Sequence, residues 1–247
     1  MTTTLQETSA PSTPERLKRR AAARRFALFG AISVIFCGAS IGLLHILPSD
    51  RRLNPVSAPI SDYALTSAAW LFDTSVLILA TGVAAVLAAL VLGGYLPRAS
   101  APFATMSTCC AALVVVVIFP DRALNGMLGP SAWVHWSAAM LAFGGLPLAS
   151  TLLRRLHRSP WCHTRLPGVA RALSLTAGAC FLALFVGSIL DLATSWPIWR
   201  VGGIVERVLA IAEMGVTVLM AIWAWAGCAC TTLPPLSALA ESVEKGE

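Results

Sequence analysis

The sequence predicts an all-α fold: a polytopic transmembrane bundle of about six helical spans, with the N-terminus and the C-terminus both cytoplasmic. Three observations predict it. Of 247 residues, 57% are hydrophobic and 12% charged, where a soluble domain carries roughly 25% charged residues. The apolar residues gather in runs long enough to cross a bilayer. The Lys and Arg residues are divided unequally between the two sides those runs define.

A helical span needs about 20 mostly apolar residues. The first runs from Phe26 to Leu47, the second from Ser67 to Leu96 and the third, a short one, from Phe103 to Phe119. The fourth runs from Ser131 to Leu153, the fifth from Val169 to Leu190 and the sixth from Gly202 to Cys228. The first exceeds the roughly 7–15 apolar residues of a cleaved signal core, so it reads as a membrane helix. Residues 1–25 read as a disordered, basic cytoplasmic segment, 26–230 as the six-span domain and 231–247 as a short cytoplasmic tail. The length leaves no room for a second globular domain.

Orientation follows from the basic residues. With the N-terminus inside, the inner segments hold Arg16, Lys18, Arg19, Arg20, Arg24, Arg25, Arg98, Arg154, Arg155, Arg158, Arg165, Arg171 and Lys245. The outer side holds Arg51, Arg52, Arg122, Arg200 and Arg207. That is a positive-inside bias, and it suits the plasma membrane of a bacterium. The net charge of +6 therefore reflects topology, and no nucleic-acid partner is expected, since no basic face is interleaved with exposed aromatics. Gly38 and Gly42 form a G-x-x-x-G that permits close helix approach, within the chain or in a homo-oligomer.

The seven cysteines do not read as a metal or disulfide framework. Cys37, Cys109, Cys110 and Cys180 lie in apolar runs. Cys162, Cys228 and Cys230 fall on the cytoplasmic side, where oxidation is not expected. Cys228-Ala-Cys230 lacks zinc-knuckle spacing, and Cys162, His163 and His157 have no second ligand pair. No cofactor is expected either: His45 and His135, the two membrane histidines, lie at one surface and make a poor haem cage.

The acids and histidines of the membrane region gather at one end. His45 closes the first span. Asp62 and Tyr63 lie in the first outer loop, Trp70 opens the second span, and Asp73 follows a turn later. Asp121 succeeds the third span, His135 starts the fourth and Asp191 ends the fifth. Glu206, Arg207 and Glu213 occupy the first turns of the sixth. Glu206 and Glu213 are two helical turns apart, so they share a face. A charge at mid-bilayer costs at least about 2.5–3.5 kcal/mol, so such residues face the bundle interior, a partner or water. This predicts an outward-facing polar pocket. Asp73, Glu206 and Glu213 are its candidate catalytic acids; His45, Asp62, Tyr63, Trp70, Asp121, His135, Asp191 and Arg207 are its candidate ligand contacts.

The string His45-Ile-Leu-Pro48, then Asn54-Pro55-Val56-Ser57, Ile60-Ser61-Asp62-Tyr63-Ala64-Leu65 and Trp70, resembles the opening of the bacterial domain-of-unknown-function 998 family. Phe119-Pro120-Asp121, His135 and Glu206-Arg207 follow in the order of that family's later motifs. The resemblance covers roughly residues 30 to 230. In the family's third motif a residue often separates Pro and Asp; here Pro120 meets Asp121 directly. The resemblance implies a multi-span membrane protein and supplies no reaction.

Three functions fit these residues. The first is binding or moving a lipid or small amphiphile, with membrane lipids as partners. The second is intramembrane acid catalysis on an isoprenoid or lipid, in the manner of a terpene cyclase, by a protonated carboxyl in an aromatic-lined cavity. A diphosphate-ionising synthase is disfavoured, because no D-D-x-x-D motif occurs. The third is an accessory subunit.

Overall fold

The computed structural model describes residues 13–47, 53–121, 123–124, 127–156, 166–194 and 201–230. The long helices are α1 (Thr13–Leu44), α2 (Ala69–Leu92), α3 (Ala101–Ile118), α4 (Pro130–Leu156), α5 (Leu166–Thr194) and α6 (Gly202–Cys230). All six are long and apolar enough to cross a membrane. A 3-10 helix, Ile60–Leu65, follows α1. Two-residue strands β1 (Ala123–Leu124) and β2 (Met127–Leu128) pair antiparallel between α3 and α4.

The helices pack in chain order as a closed ring, each against its neighbours, with α6 returning to α1. Helix α6 also reaches across to α2 and α4, so it is the helix most surrounded by others. Large apolar side chains point outward all round, among them Ile35, Leu141, Leu182 and Ile211. This suits a lipid solvent, where helix contacts rest on close packing rather than on exclusion of water. Small residues provide the contact. A Cβ on Gly30 of α1 would lie 2.6 Å from Val86 Cγ2 and 2.9 Å from the Gly82 carbonyl of α2. Ser150 of α4 and Ser174 of α5, both buried, join hydroxyl to hydroxyl at 2.5 Å.

Most boundaries shift by a few residues from the sequence reading, and two of the shifts have a clear local cause. Helix α1 begins at Thr13, so residues 13–25, expected to be disordered, are helical. Pro14 suits a first turn, Glu15 complements the helix dipole, and Ala, Arg, Lys and Leu are strong helix formers. Glu15 accepts from Arg19 Nη2 one turn on, at 3.0 Å. Residues 1–12 and the tail after Cys230 lie outside the described residues. Helix α2 ends at Leu92 rather than Leu96, because Gly94 adopts φ +77°. That left-handed residue lets the Tyr95 amide turn back to the Leu90 carbonyl at 2.9 Å.

The G-x-x-x-G glycines face different surroundings. A Cβ on Gly38 would sit 3.3 Å from Met214 Sδ of α6, inside the chain, while one on Gly42 would meet open space.

Candidate functional site

The ring topology brings the C-terminal ends of α1, α3 and α5 to the same end of the bundle as the starts of α2, α4 and α6. This is the acidic end. A strap, residues 53–59, and the 3-10 helix cross it. The strap is turned by Asn54, whose Oδ1 accepts from the Val56 amide at 3.0 Å and whose carbonyl accepts from the Ser57 and Ala58 amides. It is fastened to α6 by the Ile204 amide, which donates to the Val56 carbonyl at 3.1 Å. Gly203 permits this approach. Its Cβ would collide with the Ala58 carbonyl and lie 2.8 Å from that of Pro55.

Glu206 is the next fastening. It is 8% exposed, and its Oε2 accepts from the Ile60 amide at 2.9 Å. The free amide at the start of the 3-10 helix thus finds an acceptor inside the bundle. Arg207, one residue on, serves a different face. Its Nε donates to His45 Nε2 at 2.8 Å, and its Nη1 donates to the Ala58 and Gly203 carbonyls at 2.9 and 2.8 Å. His45 Nδ1 donates to the Ile41 carbonyl at 2.8 Å. An imidazole that accepts at Nε2 and donates at Nδ1 is the neutral Nδ1–H tautomer. Tyr63 packs against that ring, centroids 5.4 Å apart. Glu206 and Arg207 form no ion pair; adjacent helical residues point about 100° apart.

His135 does the same work for α3. It is 4% exposed, and its Nδ1 lies 2.8 Å from the Phe119 carbonyl and 3.1 Å from that of Val116. Nδ1 therefore carries the proton and satisfies carbonyls that the end of α3 leaves open. Ser131 Oγ donates to the Pro120 carbonyl at 2.8 Å. Together these hold Asp121 beside the start of α4.

Between these fastenings lie two adjoining cavities. The larger, about 360 Å³, is lined by α4, α5, the strap and the start of α6. Ser57, Ser61, Asp121, His135, Ser188 and Glu206 line it with polar groups; Met140, Phe143 and Leu184 line it with apolar ones. The smaller, about 90 Å³, continues among α1, α2, α3, α4 and α6, where Ile41, Phe72, Val76, Leu113 and Met214 line it. Ser61, His135, Ala139, Phe143 and Glu206 line both. They form the neck.

The structure sorts the predicted site residues into groups. Glu206, His135 and Asp121 line the cavities. Arg207, His45 and Tyr63 lie behind the strap and line neither. Asp62 lies close enough to Glu206 for their charges to interact. Trp70 is 67% exposed on the outer face of α2. Asp73 is half-buried and lines neither cavity, although its neighbour Phe72 lines the smaller one. Glu213 is 6% exposed and buried two turns below Glu206, with Oε1 lacking a hydrogen-bond partner. It too lines neither cavity. The Asp191 side chain lies outside the described residues.

Several lining residues did not stand out in the sequence. Trp136, Ala139, Met140 and Phe143 recur at i, i+3, i+4 and i+7, the signature of one helix face. Pro147 is a further signal: lacking an N–H, it cannot donate to the Phe143 carbonyl beside the neck. Ser57 and Ser61 stood in the strings that carry the family resemblance but were not taken as site residues, and Ser188 carried no local mark.

Against this geometry, one family comparison is decisive. The family described as "Protein of unknown function (DUF998)" matches residues 31–224. The chain belongs to this family. The match begins within α1 and ends within α6, so the DUF998 region includes the strap, the neck and both cavities. No curated protein and no solved structure matches this DUF998 chain.

Proposed function

We propose that this DUF998 protein binds, and moves between membrane and water, a small amphiphile: the polar end at the neck and the apolar part along the Met140, Phe143 and Leu184 wall of the larger cavity. The observation that carries the reading is the neck itself. Glu206 and His135 stand where a cavity with a polar edge meets an almost wholly apolar one, and each spends only part of its hydrogen-bonding capacity on the fold. Ligand pockets run from about 300 to 1,000 Å³. At about 360 Å³ the larger cavity suits a small or single-chain amphiphile better than a two-chain phospholipid. The positive-inside bias supports a pocket open to the outer face of a bacterial plasma membrane.

The catalytic reading loses two of its three candidate acids, because Asp73 and Glu213 line neither cavity, and rests on Glu206 alone.

Native mass spectrometry of the detergent-purified protein tests the proposal. The wild type is expected to carry a bound amphiphile, and Ala139→Trp, which fills the neck, to release it. A wild-type spectrum free of bound amphiphile, unchanged by Ala139→Trp, contradicts the reading.

A further inference from the structure

We infer that the polar end of the ligand is a cation, an ammonium or amine group held between Glu206 and Asp121 against Trp133 and Trp136. The inference rests on the amphiphile reading above and specifies its chemical class. Both acids line the larger cavity, and neither forms an ion pair or is matched by a Lys or Arg lining it, among the described residues. Among the described residues, Arg207 lines neither cavity; its Nε and Nη1 are bonded to His45 and to the Ala58 and Gly203 carbonyls, and its Nη2 is buried without a hydrogen-bond partner. Among the described residues one oxygen of Glu206 is engaged, by the Ile60 amide, while the residue is more than nine-tenths buried at the neck. The Arg207 charge reaches the Glu206 carboxyl without pairing with it; a buried carboxylate so incompletely matched is costly, and a bound cation supplies the direct partner.

The aromatic lining points the same way. Trp133 and Trp136 meet edge to face at 6.1 Å. Indole faces attract ammonium groups more strongly than other aromatic side chains do, most of all when water is excluded. A sulfate or phosphate would meet two acids and no basic side chain in the described lining, an arrangement that like-charge repulsion disfavours. A sugar or alcohol would be tolerated but would leave the acids unpaired.

Three single-chain probes of equal length separate these cases: decyltrimethylammonium, decyl glucoside and decyl sulfate. Each is titrated by calorimetry into the full chain in lipid nanodiscs, with Ala139→Trp nanodiscs as the blocked-neck control. The ammonium is expected to bind at least about tenfold more tightly than either other probe. Glu206→Gln keeps an acceptor for the Ile60 amide and is expected to weaken the ammonium about tenfold while leaving the glucoside unchanged. Asp121→Asn, which touches no fastening of the fold, is expected to shift the same ratio in the same direction. Equal binding of all three probes, unmoved by both substitutions, overturns the cation while the amphiphile reading stands. Preference for the sulfate overturns it too. Binding of no probe beyond the Ala139→Trp control overturns both.

Discussion

The two ends of the bundle use charge differently. At the acidic end, charged and polar side chains bond across elements: Glu206 to the 3-10 helix, Arg207 to α1 and the strap, and His135 to the end of α3. At the basic end one buried hydroxyl pair, Ser150 with Ser174, joins α4 to α5, and aromatic contacts are prominent. Arg24 stands 5.7 Å above the Trp225 ring, and Tyr95 packs on Trp223 at 5.0 Å. One end is anchored by aromatic packing and a positive belt. The other is braced from within, and the bracing leaves a cavity.

The same contrast runs along α6. Glu206 is fastened and lines the neck, whereas Glu213, about 10 Å further along the axis, holds a carboxyl oxygen without a partner. Thr217, a turn beyond, bonds back to the Glu213 carbonyl at 2.8 Å and offers its side chain nothing.

Substitutions that break the contrast can be ranked by expected effect. Gly203→Val puts a branched side chain into the Ala58 and Pro55 carbonyls, which belong to backbone and cannot swing aside. It is expected to cost about 3 kcal/mol, as overpacked sites do, and to lower the unfolding midpoint in detergent more than any other change considered. Glu206→Ala strands the buried Ile60 amide, at a cost of about 2 kcal/mol, and Glu206→Gln restores most of that loss. Glu213→Leu removes an unpartnered polar atom at similar volume, and the same unfolding assay should show stability unchanged or raised by about 1 kcal/mol. If Glu206→Leu and Glu213→Leu cost the same, the distinction between the two glutamates is lost. At the basic end, Arg24→Ala gives up one partly exposed cation–π contact and should cost only about 0.5–1 kcal/mol.

Much of this was legible in the sequence, for identifiable reasons. Apolar run length is a one-dimensional property, so the predicted spans meet the observed helices within a few residues, as for the sixth, Gly202–Cys228 against Gly202–Cys230. The spacing of Glu206 and Glu213 along one helix face was equally local. Which face looks into a cavity was not, because that depends on where the neighbouring helices stand. Asp73 shows this: its depth in α2 was readable, but the Phe72–Val76 side, not its own, lines the smaller cavity. Helical order before Phe26 was hidden because basic composition reads as solvation until the Glu15–Arg19 pairing is noticed. Gly203 went unremarked because its role is defined by the strap about 150 residues earlier in the chain.

The central claim is that the neck between the two cavities is where ligand enters and sits. Ala139 lines both sides of it. The direct measurement is maleimide labelling of Ala139→Cys, in a chain whose seven native cysteines are replaced, with and without decyltrimethylammonium. The account predicts that the introduced thiol reacts from water and that the amphiphile slows the reaction at least about tenfold. A thiol that never reacts, or one that reacts at the same rate with the amphiphile present, would contradict it.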